Sequence, residues 1–386
     1  MANSNLTNAK KEKNDEFYTQ YHDIEKEITA YLEYDSEVFR GKTILLPCDD
    51  PEWSNFTKYF AQNFERFGLK KLISTSYAVN SKNYNTKYEP TLFETSNPKY
   101  DKKKTVKNGK IFTLTHDKTG DGKVDFDDLD WNYLEGDGDF QSDEIKKLRD
   151  EADIIITNPP FSLFRVFLAW IVQVEKKFVI IGNMNAITYK EIFPLIKENK
   201  LWLGPSISSG DREFQVPDDY PLNASGWRVD EIGRKFLRIK GVRWFSNLDH
   251  GRRHQPLQLM SMADNLRFNK KLKDKDSYEK YENYDAIEVS FTSTIPSDYD
   301  GVMGVPISFL DKYSPEQFEI VGMCENEDLY NLKIKVYPVE ERKQAYFDKF
   351  GRKGSYDLNA SGVVIRNGLL EKVYQRVLIK HKRKIK

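Results

Sequence analysis

Four consecutive residues, Asn158, Pro159, Pro160 and Phe161, follow a run of β-forming residues and precede an amphipathic helix pattern. Proline cannot continue the hydrogen bonding of a strand, and it keeps the residue before it extended, so the Asn158 side chain is held in one pose. The side-chain oxygen of Asn158 and the carbonyl oxygen of Pro159 then form two adjacent acceptors, which suit an exocyclic amino group. Phe161 offers a flat face on which a planar base can stack.

The chemistry that needs this arrangement is methylation of an aromatic amine, such as the 6-amino group of adenine. The two acceptors form hydrogen bonds with the N–H groups of the amine and leave its lone pair free to attack a methyl sulfonium donor in line. Most of the catalysis would come from positioning. Such an amine is out of reach inside a duplex, so the base must be flipped into the pocket. The plain alternative is that the prolines only end a strand and Phe161 belongs to the core.

The elements around this motif must form a parallel sheet if the motif is to work. Short apolar runs alternate with helical patterns, which is typical of an α/β fold. Ligands bind outside the carboxyl ends of the strands in such sheets, which is where Asn158 would lie. Helices are predicted from Asp15 to about residue 32 and from residue 54 to Gly68. The apolar runs predict strands within residues 42–50, 70–78, 153–161 and 176–187.

Composition limits the class of protein. The chain has 386 residues, of which 39% are hydrophobic, enough for a large core in two domains or in one domain with insertions. Basic and acidic residues number 60 each, so a nucleic-acid binder would have to gather its basic residues on one face. Cys48 and Cys324 have no metal-ligand spacing, which argues against a disulfide scaffold or a zinc site. The polar N-terminus and the absence of long apolar stretches predict a soluble, cytoplasmic protein without a membrane span.

The chain resembles the EcoRI-type adenine-specific DNA methyltransferases, the modification methylases of type II restriction–modification systems. The resemblance implies S-adenosyl-L-methionine as the methyl donor, a Rossmann-like methyltransferase sheet, and palindromic duplex DNA as the substrate. It rests on seven collinear segments distributed along the chain outside the insertion at about residues 80–130 and the C-terminal tail, namely residues 15–25 (DEFYTQYHDIE), 48–64 (CDDPEWSNFTKYFAQNF), 68–73 (GLKKLI), 136–142 (GDGDFQS), 157–165 (TNPPFSLFR), 187–204 (ITYKEIFPLIKENKLWLG) and 299–310 (YDGVMGVPISFL).

The resemblance assigns roles to single positions. Residues 158–161 match the catalytic motif that grips the target adenine. Phe17, Tyr18 and Thr19 match an N-terminal Phe-Tyr-Thr motif, which would line the methionine end of the donor. The donor-binding motif comes first, the catalytic motif later and the recognition sequence last, which is the γ arrangement of amino-methyltransferases.

A second pair of positions concerns the adenine ring of the donor. Asp139 and Phe140 match an acidic–aromatic pair of the family. Asp139 would accept a hydrogen bond from the amino group of the ring, and Phe140 would pack against its face.

The loop after the first predicted strand departs from the pattern of most methyltransferases, which have a glycine-rich loop there. This chain instead has Cys48, Asp49, Asp50 and Pro51. We expect these residues to bind the donor, with one carboxylate facing its ammonium group, although the sequence does not distinguish the two aspartates. The alternative is that they cap the following helix. The acidic residue that usually follows the second strand and holds the ribose is missing from residues 72–77, and the sequence indicates no replacement.

Two further segments each have a functional and a purely structural interpretation. Residues 117–128 resemble a calcium loop, but their flanks predict strands and an Asp-Gly hairpin turn explains the same residues, so no metal is expected. The basic tail at residues 380–386 either adds phosphate contacts or is simply solvated.

The sequence thus predicts an α/β protein with a Rossmann-like sheet, a hairpin insertion at about residues 80–130 and a β-rich C-terminal region. Residues 1–254 would form the catalytic domain, and residues 255–386 would recognise the target. The expected function is site-specific methylation of adenine in double-stranded DNA by a monomer, with any cognate restriction endonuclease acting separately. The alternatives are a related methyltransferase acting on RNA or on protein glutamine, and a DNA-binding module without catalytic activity.

Overall fold

The structure, a computed structural model of the chain, describes residues 17–50, 54–78, 92–208, 210–216, 220, 226–273 and 275–382. The chain divides into two compact units, Met1–Gly251 and Arg252–Lys386. The strands of the first unit are β1 Thr43–Pro47, β2 Lys71–Ser76, β3 Lys110–Leu114, β4 Asp130–Tyr133, β5 Ile154–Thr157, β6 Lys177–Asn183, β7 Trp202–Leu203, β8 Asp211–Val216, β9 Trp227–Val229, β10 Lys235–Lys240 and β11 Val242–Ser246. Its α-helices are α1 Tyr21–Tyr34, α2 Asn55–Gln62, α3 Phe64–Phe67, α4 Leu92–Thr95, α5 Lys102–Lys107, α6 Asp143–Glu151, α7 Phe164–Val172 and α8 Phe193–Lys197.

The central sheet of this unit has eight strands in the order β4-β3-β2-β1-β5-β6-β11-β7. Strands β2, β1, β5 and β6 run parallel, and every side chain of β1 and β5 is buried. Strands buried on both faces need continuous apolar runs, which explains the sequences TILLP and IIIT. The chain passes from β1 to β2 on one side and later returns to β5 on the other. The switch point of the sheet, where α/β folds bind ligands, therefore lies between β1 and β5.

Local sequence determines the helices beside this sheet. The hydroxyl of Ser54 accepts a hydrogen bond from the backbone of Phe56 and caps α2. Gly68 ends α3 in the left-handed conformation, with φ of 62°, as the sequence predicted. The predicted helix from Asp15 is wrong for residues 17–20, because α1 begins only at Tyr21 and Gln20 is extended. Tyr18 is instead paired with Gln215 of β8, a partner that helical periodicity does not reveal.

The insertion predicted at about residues 80–130, of which residues 80–91 lie outside the described part of the chain, adds strands β3 and β4 to the central sheet. Strand β3 pairs antiparallel with β2, and β4 pairs antiparallel with β3. In the loop between β3 and β4, the Asp128 carboxylate accepts hydrogen bonds from three backbone amides, and Asp117 accepts from two. These carboxylates are therefore engaged by their own loop. Within the described ranges, no group of three His, Cys, Asp or Glu side chains has the geometry of a metal site.

A second, antiparallel sheet of the first unit has the order β8-β10-β9. Side chains from one of its faces belong to the buried core of the unit, which also contains residues from α1, α2, β1 and β5. These side chains are Phe214, Val216, Leu237 and Ile239.

The second unit is rich in β-structure, as the sequence predicted. Its four-stranded sheet has the order β12-β13-β17-β14, and β15 and β16 form a separate hairpin. The Glu288 carboxylate and the Arg376 guanidinium form a buried ion pair in this unit, with the Tyr281 hydroxyl donating to Glu288. The strands are β12 Ala286–Glu288, β13 Val302–Pro306, β14 Phe318–Met323, β15 Val363–Arg366, β16 Leu369–Lys372 and β17 Arg376–His381, and the α-helices are α9 Met262–Phe268 and α10 Val339–Phe350.

The predicted fold class, α/β with a Rossmann-like sheet and a β-rich C-terminal region, is confirmed, and the structure shows that the central sheet is mixed. Among the helices that the structure describes, none combines the length and apolar character needed to cross a membrane.

Candidate active site

A cleft opens at the carboxyl ends of β1, β2 and β5, at the switch point of the sheet. Most of the residues predicted to bind a donor or a base lie along it. The lining residues are Phe17, Tyr18, Thr19, Cys48, Asp49, Asp50, Ser54, Phe56, Ser76, Tyr77, Asn158 and Pro160.

The amide of Asn158 has a defined orientation in this cleft. Its Nδ2 donates a hydrogen bond of 2.5 Å to the backbone carbonyl of Phe17, which can only accept. The opposite amide atom, Oδ1, must therefore face away from Phe17. That oxygen is buried and has no hydrogen-bond partner among the described residues. Since buried polar atoms are nearly always paired, Oδ1 of Asn158 is an acceptor prepared for a group that enters the cleft.

Phe161 lies in an aromatic cluster rather than free in the cleft. Its ring centroid is 5.6 Å from that of Phe17 and 6.2 Å from that of Phe214, and Phe17 also contacts Tyr220. Pro159 is buried, whereas Pro160 lines the cleft. The half-buried Phe161 ring therefore borders the site as part of an apolar wall that comes from three distant parts of the chain.

Backbone contacts hold the Phe-Tyr-Thr segment beside this wall. Tyr18 exchanges two backbone hydrogen bonds with Gln215, of 2.9 and 3.1 Å. The carbonyl of Thr19 accepts a hydrogen bond of 2.7 Å from the side chain of Asn55, at the start of α2. The hydroxyl of Thr19 lines the cleft, is buried, and lacks a partner within the described part of the chain.

The glycine-free loop after β1 adopts a conformation that usually requires glycine. Cys48 has φ of 95°, in the left-handed region, which is costly for a residue with a side chain. The backbone amides of Cys48 and Asp49 both donate to the carbonyl of Thr75, at distances of 3.2 and 3.0 Å. These two bonds bind the loop to the end of β2 and hold Cys48 in this conformation.

The structure distinguishes the two aspartates that the sequence left equivalent. The Asp49 carboxyl is buried, and it accepts hydrogen bonds of 2.6 Å from each of the hydroxyls of Ser54 and Thr157. Burial raises the pKa of Asp49 to about 7, despite these two hydrogen bonds. Asp50 is half-buried and also lines the cleft. Neither aspartate is the cap residue of α2, because Ser54 occupies that position. Pro51 lies outside the described residues.

The end of β2 contributes two residues that the sequence did not identify. The Ser76 hydroxyl is buried and lines the cleft, and it has no hydrogen-bond partner in the ranges that the structure covers. Tyr77 also lines the cleft, and burial raises the pKa of its hydroxyl. The only sequence feature that points to them is their position directly after the second strand, where an acidic residue was expected and missing.

The loop that carries Asp139 packs against this strand end. Gly138 has φ of 91°, and a Cβ atom there would lie 2.4 Å from the carbonyl oxygen of Ser76. A glycine is therefore required for the close approach. As a result, the Tyr77 hydroxyl lies 3.4 Å from the Asp139 carboxylate and donates to it.

Asp139 and Phe140 do not themselves line the cleft. Phe140 is buried against Phe167 and Trp170 of α7, at centroid distances of 5.1 and 5.6 Å. Asp139 accepts from the backbone amide of Gln141 and reaches the cleft through Tyr77. Ser54 and Phe56, which do line it, were missed because the sequence indicates them only as the start of a helix.

The lining residues fit a polar ligand with several hydrogen-bonding groups. Buried oxygens of Thr19, Ser76 and Asn158 have no partners among the described residues, and the Asp50 carboxylate lies at the same cleft. Around them stand the aromatic rings of Phe17, Phe56 and Tyr77. A ligand with an apolar part, several polar groups and a cationic amine would satisfy all of these groups together.

Comparisons with known proteins agree with this geometry. A family model described as adenine-specific methyltransferase EcoRI matches residues 5–382. The type II methyltransferase M.EcoRI of Escherichia coli is 43% identical over 332 residues, which cover 86% of this chain and 93% of that protein. The type II methyltransferases M.MgeORF184P of Mycoplasma genitalium and M.MpnI of Mycoplasma pneumoniae are 34% and 33% identical, covering 82% and 85% of this chain and 86% and 89% of their own lengths. No solved structure matches the chain.

The family model spans nearly the whole chain and includes both compact units. The sheet order and the cleft at the switch point also agree with a Rossmann-like methyltransferase that uses a donor of the S-adenosylmethionine type. The chain therefore belongs to the EcoRI family of adenine-specific methyltransferases.

Proposed function

We propose that the chain transfers a methyl group from S-adenosyl-L-methionine to the exocyclic 6-amino group of adenine at a specific site in duplex DNA. The adenine leaves the helix and enters the cleft beside Asn158, because its amino group is out of reach in the stacked duplex. The observation that carries this proposal is the buried, unpartnered Oδ1 of Asn158, whose amide is oriented by the Phe17 carbonyl.

The catalytic role falls to residues 158–161. Oδ1 of Asn158 and the carbonyl oxygen of Pro159 accept hydrogen bonds from the two N–H groups of the adenine amine and leave its lone pair directed at the methyl group. As the nitrogen–carbon bond forms, the carbon–sulfur bond breaks, and the methylated amine then releases one proton to solvent. The rings of Pro160 and Phe161 border the base. An Asn158 amide fixed before substrate arrives needs no reorganisation during the reaction, which is how positioning lowers the barrier.

The donor occupies the part of the cleft formed by the ends of β1 and β2. S-adenosyl-L-methionine supplies an electrophilic methyl group on a sulfonium centre. Asp50 faces its ammonium group, and Phe17, Tyr18 and Thr19 line the methionine end. Cys48 and Pro51 complete the loop, while Asp49 maintains its shape from within the protein. Ser76 supplies a hydrogen bond to the ribose, where other methyltransferases use a carboxylate.

The adenine ring of the donor lies toward Tyr77 and Asp139. Asp139 accepts from the amino group of this ring and from Tyr77. Phe140 supports the wall from behind through its contacts with α7.

The second unit recognises the target sequence. It has its own buried clusters and its own sheet, so it can present loops independently of the catalytic unit. The enzyme acts as a monomer in the cytoplasm, where the host chromosome lies. It protects host DNA from a cognate restriction endonuclease that works as a separate protein.

The test is transfer from radiolabelled S-adenosyl-L-methionine to duplex DNA, RNA and protein offered in parallel. We expect label in duplex DNA alone, recovered as N6-methyladenine after enzymatic digestion. Asn158→Ala should lower transfer by about 100-fold or more, as loss of a preorganised transition-state contact does, while donor binding persists. Label in RNA or protein but not in DNA would contradict the proposal.

Asn183→Ala is the matched control for Asn158→Ala. Asn183 likewise ends a parallel strand, β6, but its side chain accepts from the Asn185 backbone and donates to the Lys240 carbonyl. It does not line the cleft. The control should retain transfer. Equal losses in both variants would mean that the effect reflects the strand end in general rather than the acceptor at Asn158.

A further inference from the structure

The side chain of Trp227 is 49% exposed on β9, the outer strand of the β8-β10-β9 sheet. It makes no hydrogen bond or ring contact within the described residues, although tryptophan is a costly residue to leave in water. The next side chain on the same face, Val229, is 46% exposed.

Strand register joins Trp227 to the wall of the active site. Trp227 stands opposite Leu237 of β10, which stands opposite Phe214 of β8. Side chains opposite each other in antiparallel strands share a face, so these three form one row. The inner end of the row is buried, since the Phe214 ring lies 5.8 Å from Phe17 and 6.2 Å from Phe161.

The two faces of β9 differ in what covers them. On the face opposite to Trp227, Arg228 lies over the ring of Phe236 at 4.2 Å and forms two hydrogen bonds with the Glu213 carboxylate. That face is closed by the sheet's own residues. The Trp227 face is open at its outer end, and it includes the cation of Lys235, which stands opposite Val229.

We propose that this outer end, the Trp227 edge formed by Trp227, Val229 and Lys235, contacts the duplex DNA that flanks the target adenine. The inference rests on the proposed function, because a base that enters the cleft beside Phe161 brings its neighbouring nucleotides to the mouth of that cleft. Two strand spacings separate Phe214 from Trp227, about 10 Å, which is well within the width of a duplex.

The Trp227 face carries a positive charge. In β9 and β10 its cation is Lys235, whose Nζ donates a hydrogen bond of 3.4 Å to the Tyr220 carbonyl, whereas Arg228 and Arg238 lie on the opposite face. The Asp230 carboxylate forms an ion pair with Arg234 and accepts hydrogen bonds from the backbone amides of Ile232 and Arg234, which fixes the turn. A flat aromatic ring beside the Lys235 cation on a rigid hairpin can pack against sugars and bases while the cation contacts a phosphate.

The test compares Trp227→Ala and Trp227→Phe for binding to a short duplex that carries the methylated sequence mapped in a host expressing the protein. The alanine variant should bind this duplex about tenfold more weakly, in line with the loss of one aromatic contact to nucleic acid, while the affinity for S-adenosyl-L-methionine stays unchanged. Phenylalanine should restore most of the affinity because it keeps a flat ring. Tyr34→Ala is the matched control, since Tyr34 is 47% exposed in the same unit, and it should bind DNA like the parent protein.

Three results would overturn or redirect these conclusions in distinguishable ways. Equal DNA affinity of Trp227→Ala and the parent protein would overturn the inference alone. A change from dimer to monomer in Trp227→Ala, measured by sedimentation with DNA affinity unchanged, would assign the edge to a second copy of the chain instead of DNA. A parent protein that methylates no duplex would instead disprove the proposed function itself.

Discussion

The hydroxyl of Thr157 donates a hydrogen bond of 2.6 Å to the carboxyl of Asp49, and so joins the ends of β5 and β1 at the switch point of the sheet. Thr157 immediately precedes Asn158, for which we propose the catalytic role, and Asp49 belongs to the loop proposed to bind the donor. One buried hydrogen bond thus connects the two halves of the site. We therefore propose that Asp49, whose carboxyl is held by the hydroxyls of Ser54 and Thr157, positions other groups of the site.

Thr157→Val should reduce kcat more than it reduces donor affinity. Valine keeps the shape of threonine but leaves the buried Asp49 carboxyl without one of its donors, at a cost of about 1–3 kcal/mol. The end of β5 then loses its connection to the donor loop, and Asn158 is less well positioned. Steady-state kinetics and donor titration measure the two effects separately. Thr157→Ser keeps the hydroxyl and should recover most of kcat; an unimpaired valine variant would refute the positioning role.

Asp49→Asn should change how the stability of the protein depends on pH. Burial raises the pKa of Asp49 from 3.8 to about 7, and the neighbouring Asp50 charge acts in the same direction. The protonated carboxyl contributes stability that is complete below pH 4 and is lost as the pH rises toward 7. Asparagine does not ionise, so the variant should gain stability relative to the parent between pH 4 and 7, by on the order of 2–4 kcal/mol. Urea unfolding at several pH values measures this difference in the free energy of unfolding. Parallel pH profiles for the variant and the parent would contradict the prediction.

Ser76→Ala should weaken donor binding without destabilising the free protein. The Ser76 hydroxyl has no hydrogen-bond partner among the described residues, so its removal breaks no hydrogen bond with any of them. One lost hydrogen bond to the donor corresponds to roughly a twofold to tenfold rise in Kd. Isothermal titration with S-adenosyl-L-methionine and thermal unfolding provide the two readouts.

Ser246→Ala provides the opposite control for Ser76→Ala. Ser246 also ends a strand, but its hydroxyl donates to the Phe178 carbonyl and accepts from the Leu248 amide, both at 2.9 Å. This variant should lose about 1–3 kcal/mol of stability and keep its donor affinity. The assignment of Ser76 to the ribose fails if Ser76→Ala binds the donor as tightly as the parent protein does.

Cys48→Gly should be tolerated or stabilising, and Cys48→Val should destabilise. At φ of 95°, a β-branched side chain is strongly disfavoured, at a cost of about 1–3 kcal/mol, whereas glycine is unstrained. Glycine has greater conformational entropy in the unfolded chain, which offsets part of the stability that Cys48→Gly gains from the unstrained backbone. Chemical denaturation of the two variants measures the difference. Cys48→Ala controls for loss of the thiol, and a valine variant as stable as the glycine variant would show that the left-handed backbone is not a constraint.

The parts of the site that could be predicted are those fixed by neighbouring residues. The apolar run before Asn158 specifies a buried strand, and the two prolines end it, so the location of the motif at a sheet edge follows from about ten consecutive residues. Gly68 and the helix before it were predictable for the same reason. The assignment of Asn158, together with the resemblance of the surrounding segments, led to the correct family.

The parts that could not be predicted depend on pairings between distant residues. Residues 17–20 have helical periodicity, but the hydrogen bonds of Tyr18 with Gln215 make them extended. The sequence did not distinguish the two aspartates, because the buried, hydrogen-bonded state of Asp49 depends on Thr157, more than a hundred residues away. Phe140 matched a family motif, yet its ring packs against α7, and only the three-dimensional positions of Phe167 and Trp170 explain this.

The order in which the ribosome delivers the chain has a consequence for the Phe17–Thr19 segment. Its hydrogen bonds within the site are to Asn55, Asn158 and Gln215, all of which follow it in the chain. Closing loops of this length costs entropy that only later contacts recover. The segment therefore cannot complete the cleft until β8 has emerged. A nascent chain that ends between Phe161 and β8 contains the Asn-Pro-Pro-Phe motif but lacks part of the wall that borders it.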